Sequence, residues 1–246
     1  MTEPREQAGP AWGERELKWI LPAQRGAMVG TWLANRLRPD RDHPDGHVVT
    51  LYYDTPGGTL YDAKRNSDYL KEKVRLRWYE DSAGRPQGPT AFLEVKAKIG
   101  SQRRKLRRPA PLDAATLSGI PLTDRRLLAV LAALGPERAV LPAPLLPVLV
   151  VRYARDRFVD PASSARVAFD RAIRVAAVHP AIAPAARRPR LDVAVVEVKG
   201  ERTELPASLR FLRALGTRRG SFSKYAACRE VLASGLPIAT VWRRAC

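Results

Sequence analysis

An α+β fold, with an antiparallel sheet curled around a charged interior and jacketed by helices, is predicted by three observations. About six strand-like stretches, scattered from residue 14 to residue 199, each alternate a charged face with an apolar one. The segments between them have amphipathic, helical spacing. Carboxylates also recur among the cations of the charged faces, at Glu14, Glu16, Glu94 and Glu197. Two arrangements satisfy this pattern. In a sandwich the apolar faces meet and the charges are solvated; in a barrel the apolar faces turn outward under helices and the charges line the inside. The carboxylates favour the barrel, because a surface made only to face nucleic acid gains nothing from them.

Each element has its own justification. Residues 1–13 are polar, with Pro and Gly, and read as a loose tail before one domain over residues 14–246. In residues 14–20, Glu14, Glu16 and Lys18 share one face of a strand, with Leu17 and Trp19 on the other. Residues 23–37 space Met28, Trp32, Leu33 and Leu37 as a helix does. Residues 47–54 read as a strand ended by the Pro56-Gly57-Gly58 turn. Residues 70–80 put Lys73, Arg75, Arg77 and Tyr79 opposite Val74, Leu76 and Trp78. Residues 90–98 put Glu94, Lys96 and Lys98 opposite Leu93, Val95 and Ala97, and the two runs form a hairpin.

The dense basic run 101–108 is expected to be mostly a solvated loop. Residues 113–134 suit one or two helices, stopped at Gly135-Pro136 and followed by an extended connector to Pro147. Strands resume at residues 148–160, with Tyr153, Arg155 and Arg157 on one face, and at 166–174, with Arg166, Asp170 and Arg174 together. Residues 191–199 set Glu197 and Lys199 against Val196 and Val198. Residues 205–215 and 223–232 are helical, the latter capped by Ser221 or Ser223.

Composition narrows the function. The 43 Lys+Arg against 25 Asp+Glu give a net charge of +18, which predicts a polyanionic partner. Two cysteines, Cys228 and Cys246, are too few for a disulfide framework or thiolate metal site, and His43, His47 and His179 lack ligand spacing. The N-terminus lacks a signal-peptide core and no apolar run is long enough to span a membrane, so a cytoplasmic, reducing setting is expected. There is no Walker-type glycine loop. A cationic cavity with carboxylates on one side suits a polyphosphate and its metal: Arg and Lys neutralise phosphate oxygens, and carboxylates hold Mg²⁺ or Mn²⁺.

Glu14-x-Glu16-x-Lys18 resembles the ExExK signature of the triphosphate tunnel metalloenzymes, the CYTH-like superfamily. Tyr52-Tyr53-Asp54-Thr55-Pro56, Lys73-Val74-Arg75-Leu76-Arg77, Leu93-Glu94-Val95-Lys96, Tyr153-x-Arg155-x-x-Phe158, Phe169-Asp170, Val196-Glu197-Val198-Lys199 and Phe222-Ser223-Lys224-Tyr225 resemble, in order, motifs of its VTC branch. That branch comprises polyphosphate polymerase domains of vacuolar transporter chaperones and bacterial relatives. The resemblance implies an eight-stranded antiparallel tunnel that binds a nucleoside triphosphate and a divalent metal and moves the terminal phosphoryl group onto polyphosphate.

Carried over by position, the resemblance implies catalytic roles for Lys18, Arg75, Arg77, Lys96, Arg155 and Glu197. It further implies phosphate contacts for Lys73, Lys98, Lys105, Tyr153, Lys199, Ser223 and Lys224. Glu197 would be the main metal ligand, supported by Glu16, Glu14 and Glu94. The acidic residue at Glu14, where VTC-type domains often carry a base, leans toward the triphosphatase members and leaves the acceptor open between water and a phosphate chain. The expected partners are ATP or another nucleoside triphosphate and inorganic polyphosphate, not nucleic acid. Coupling to transport would need a separate membrane protein. A tunnel triphosphatase and a non-catalytic polyphosphate-binding module are the alternatives.

Overall fold

The computed structural model describes residues 15–100, 102–184, 187–201, 204–215 and 217–238. The expected tail and Glu14 lie outside these. The elements run β1 (Arg15–Pro22), α1 (Gly26–Arg36), β2 (Arg38–Pro39), β3 (His47–Asp54), α2 (Thr59–Arg65), β4 (Leu70–Glu80), β5 (Phe92–Ile99) and β6 (Gln102–Pro109). Then come α3 (Ala114–Gly119), α4 (Arg125–Ala129), a 3-10 stretch Val130–Val140, β7 (Leu146–Val159), β8 (Arg166–Val178) and β9 (Val193–Gly200). A second 3-10 stretch Ala207–Leu215, β10 (Arg218–Arg219) and α5 (Lys224–Ser234) complete the described chain. Among the described residues no helix is long and apolar enough to cross a membrane.

The strands form a single antiparallel sheet in the order β10-β1-β9-β8-β7-β3-β4-β5-β6, with β2 added to β7. Eight of them are long, as the resemblance implies. Backbone pairing does not close the sheet among the described residues: β1 pairs with β9 along its length and with β10 at Trp19 and Ile20, and β6 ends the order beside β5. The sheet nevertheless curls until its two halves face each other. Lys73 of β4 feels the charge of Lys18 on β1, and Lys105 of β6 that of Lys199 on β9.

The basic run is a strand and not a loop. β6 pairs with β5 along its full length, so Leu106 faces Val95 and Lys105 faces Lys96. Leu106 is the single apolar residue in the middle of the run and packs on the outer core. Isolated among seven polar or basic neighbours and one proline, it left no visible alternation. The connector expected after residue 136 is also shorter, since 3-10 turns continue to Val140 across a left-handed Gly135 (φ 60°).

Apolar faces point outward, beneath the helices. Leu17, Trp19, Val167, Phe169 and Val196 are buried with Val29 and Leu33 of α1 and with Leu209 and Leu212. On the other half, Leu51, Val74, Leu76, Trp78 and Leu93 are buried with Leu117, Leu127, Val130, Leu131 and Leu134. The α1 contact is close because Gly30 presents backbone to the sheet: a Cβ there would sit 3.4 Å from the Phe169 ring. The inside is not charged throughout. Tyr225, Cys228, Val231 and Leu232 of α5 pack with Ile20, Tyr52, Val151, Ile173, Val175 and Val195, filling one end of the interior.

In β8 the alternation breaks. Ala172 has a left-handed backbone (φ 54°), and the β7–β8 register shifts between Arg152 and Ala154. This bulge turns Phe169 toward α1 but Ile173 toward α5, so exposed Arg174 leaves the face of Asp170, against the simple period-two reading. A bulge has no sequence mark when its residue is alanine.

Asp54, fully buried, ties α2 and α5 to the sheet: it accepts from the backbone N–H groups of Thr55 (2.7 Å), Leu60 (2.8 Å) and Tyr61 (3.0 Å) and from the Tyr225 hydroxyl (2.6 Å). Phe169→Ala, which empties the contact beneath α1, is expected to cost about 3–5 kcal/mol in denaturant unfolding. A loss typical of a surface site, below about 0.5 kcal/mol, would contradict an apolar face buried on the outside of the sheet.

Candidate active site

The lumen has two banks of opposite character. On the first, β1 and β9 pair so that Lys18 stands directly across from Glu197, and β7 and β8 so that Arg155 stands across from Asp170. Lys18 Nζ lies 2.9 Å from Glu16 Oε1 and 3.3 Å from Glu197 Oε1, and donates to the Phe222 carbonyl at 3.2 Å. Arg155 holds Asp170 with two parallel bonds, Nε to Oδ1 at 2.6 Å and Nη2 to Oδ2 at 2.7 Å, and reaches Glu197 Oε2 at 3.1 Å. Lys224, the first residue of α5, pairs with Asp170 and lies 3.2 Å from Glu197 Oε1.

Three carboxylates thus meet three cations. Burial alone would raise the pKa of Glu197, but Lys224, Lys18 and Arg155 hold it well below the usual carboxylate range. Burial would also strip the proton from Lys18 and Lys224, yet the facing carboxylates push both upward. The first bank is therefore ionised and nearly neutral in sum.

The second bank, on β4, β5 and β6, is cationic. Arg75 Nε donates to Glu94 Oε2 at 2.7 Å, and Arg107 Nε lies 3.6 Å from Glu94 Oε1. One strand step away, Lys73, Lys96 and Lys105 stand side by side across three strands. Like charges directly opposite are unfavourable in a sheet. The neighbouring Arg75, then burial, then Arg77 lower Lys96 to about 6, and burial, Lys18 and Arg75 lower Lys73 to about 7. An arriving polyanion would reverse both shifts.

Tyr153 joins the banks. Its ring lies 5.4 Å from the Arg155 guanidinium and 4.6 Å from Lys224 Nζ, and its hydroxyl accepts from Arg77 Nη2 at 3.5 Å. Lys199, one step beyond Glu197, pairs across to Glu16 and Arg166. Of the residues carried over by resemblance, Lys98 and Lys105 are exposed at the rim. Ser223 is buried as the N-cap of α5 and accepts from the Ala226 N–H at 3.4 Å. Glu14 lies outside the described residues.

Two carboxylates fit a divalent cation. Glu16 and Glu197 both bond Lys18 Nζ, so their oxygens approach one point, and Mg²⁺ commonly takes one or two carboxylates plus phosphate and water oxygens. Glu94 does not join them: both its oxygens serve Arg75 and Arg107 on the opposite bank. Among the described residues no three His, Cys, Asp or Glu side chains gather as a metal cluster.

Residues 14–233 match the sequence profile described as the VTC domain. The chain belongs to the VTC domain family. Membership places this VTC domain among proteins of polyphosphate- and triphosphate-related phosphoryl transfer, which depend on a divalent metal. No curated protein matches it significantly. Similar solved structures include one from Bacillus halodurans, provisionally described as an adenylate cyclase: TM-score 0.48, 11% identity, covering 86% of this chain and 96% of that one. Another, from Vibrio parahaemolyticus and described in the same way, has TM-score 0.38 and 13% identity, covering 82% and 83%.

Asp170 and Arg107 were missed as site residues by sequence reading. The Phe169-Asp170 pair was the available signal for Asp170, whereas Arg107 stands in a basic run with no alternation to mark its face. Asp170 is a positioning residue: it gives Arg155 and Lys224 a carboxylate other than Glu197. Asp170→Asn is expected to turn both cations toward Glu197, raising the divalent-ion concentration for half-maximal turnover about tenfold. Metal-free tripolyphosphate binding should persist in that variant, and an unchanged metal requirement would contradict the role.

Lys73 supplies a pH test. Its folded value, about 7, lies below the ordinary 10.5, so between these values the unfolded chain binds a proton that the folded chain does not. Stability is lost as pH falls from about 10 to about 7. Lys73→Met should therefore raise the thermal midpoint at pH 8, with the gain fading toward pH 10. A gain that grows toward pH 10 would reverse the sign of the assignment.

Proposed function

We propose that this VTC domain transfers the terminal phosphoryl group of a nucleoside triphosphate onto inorganic polyphosphate within its lumen. The observation that supports this reading best is the pairing of banks: Lys73, Lys96 and Lys105, grouped without a carboxylate among them, face a bank with two carboxylates available to a cation. Arg75, Arg77 and Lys96 would neutralise the oxygens of the donor triphosphate, Arg77 and Tyr153 acting together. Arg155, Lys224 and Lys18 would hold phosphates on the other side, oriented by Asp170 and Glu197. A bound Mg²⁺ or Mn²⁺, held by Glu197 and Glu16, would supply charge neutralisation at the transferred group. The bond to the terminal phosphorus breaks and one forms to a terminal oxygen of the acceptor chain, with the nucleoside diphosphate leaving. In-line positioning and charge neutralisation suffice for this, without a protein nucleophile.

A second reading, hydrolysis of triphosphate or short polyphosphate, is favoured by Glu14. The Glu14/Glu16 pair in the sequence is the acidic form of the signature, suited to orienting water. Incubation of purified protein with ATP and Mn²⁺, followed by gel electrophoresis stained for polyphosphate, separates the readings. Long chains are expected, and Glu197→Gln should reduce them at least about 10²-fold. Free phosphate without chains would favour hydrolysis. Binding of tripolyphosphate with no turnover would leave a binding module, and full activity in Glu197→Gln would overturn the catalytic reading.

A further inference from the structure

Helix α1 buries Val29 and Leu33 against the outside of the sheet and turns Met28 and Trp32 away from it, 50% and 38% exposed. The two stand one helical turn apart, so their side chains are neighbours. The apolar surface continues onto the 3-10 stretch Ala207–Leu215: the Trp32 ring lies 4.4 Å from that of half-buried Phe211. Arg25, just before α1, ties the two pieces together by donating to the Leu215 carbonyl. This face lies over the core that holds Leu17 and Phe169, on the opposite side of the sheet from the lumen.

The solvent side of a helix in a soluble protein is ordinarily polar. Here it is apolar and ringed by one sign of charge. Arg36 lies over the Trp32 ring at 5.0 Å, and Arg25, Arg210 and Arg213 are exposed. No Asp or Glu occurs in residues 23–39 or 205–215, and none of the four arginines has an ion pair among the described residues. Exposed arginines on the other half of the molecule are neutralised: Arg85 pairs with Asp81, and Arg126 with Asp124. Trp and Met set among unneutralised guanidiniums match the interface of an anionic bilayer. An indole settles at headgroup level, a guanidinium binds phosphate through paired hydrogen bonds, and a fluid surface accepts a protruding helix face without a matching groove.

We propose that α1 and the adjoining 3-10 stretch form a docking face for an anionic lipid surface. Met28, Trp32 and Phe211 enter the headgroup region, and Arg25, Arg36, Arg210 and Arg213 meet the lipid phosphates around them. Attraction of the arginines to an anionic leaflet and transfer of the apolar side chains from water act together, which gives reversible docking. The contact uses none of the residues that line the lumen.

The test is co-sedimentation of the full chain with vesicles of phosphatidylcholine, alone or with about 20% phosphatidylserine, at physiological ionic strength. Excess tripolyphosphate is present to occupy the lumen. The wild type is expected to bind the phosphatidylserine vesicles and to leave the neutral ones. Trp32→Ala should weaken that binding about fivefold, and Arg36→Gln with Arg213→Gln about fivefold for each arginine, with thermal midpoints unchanged. The pair Arg85→Gln with Arg126→Gln removes the same net charge elsewhere and should weaken binding far less. Equal loss in the two arginine pairs, or no loss in Trp32→Ala, would reduce the effect to net charge and overturn the docking face. Binding that excess tripolyphosphate abolishes would put the lipid phosphates in the lumen and overturn it too. Absence of wild-type binding to phosphatidylserine vesicles would overturn it outright, and a Trp32-dependent dimer in gel filtration would then give the face to a second copy.

Discussion

Glu197 is the point on which the lumen is built. A buried carboxylate in the middle of a strand is costly unless cations reach it, and here three do, from β1, β7 and α5. Each comes from a different part of the chain, so the charge balance is met only when the sheet has curled and α5 has docked. Buried ion pairs of this kind are poor sources of net stability, because desolvation offsets much of their attraction. Their effect is orientation: Lys18, Arg155 and Lys224 are held along one wall before any ligand arrives. Preorganised charge of this sort is what phosphoryl transfer chiefly requires of a protein.

Asp54 and Ser223 make α5 part of that wall. Asp54 binds the α5 tyrosine, Tyr225, while Ser223 caps the helix at its first turn, and between them stands Lys224. The apolar side of the same helix seals one end of the interior. One element therefore contributes a cation, a plug and a link to α2, which makes the last third of the fold inseparable from the site although no strand of the ladder depends on it.

The opposite wall is built against its own stability. Lysines in cross-strand register, with depressed basicity, are what a folded chain would avoid if stability alone were selected. Such a wall is satisfied by a polyanion and by little else, and sites that sacrifice stability in this way are characteristic of function. The division into a balanced wall and an unbalanced one also assigns the carboxylates. Glu16 and Glu197 share one lysine, whereas Glu94 is held between two arginines and aims them.

Much of this was legible before the fold was known. Alternation in residues 14–20, 70–80 and 191–199 determined which side chains share a face, because the two-residue period of a strand is a local property of the backbone. The ordered motifs determined the family and, through it, most of the cationic set. What alternation leaves undetermined is which face turns inward, since a sandwich and a barrel present the same local pattern. Tertiary structure decided that, by burying Phe169 and Leu17 under α1 and so turning Lys18 and Glu197 inside. It alone recruited β6 as a strand, reversed the face of β8 at Ala172, and set Asp170 beneath Arg155 and Lys224. Each of these depends on partners far away in the chain: an edge to pair with, a bulge to relieve, two cations to neutralise. The first two leave no local mark, and the third only the Phe169-Asp170 pair, because the energies that select them exist only once the sheet has curled.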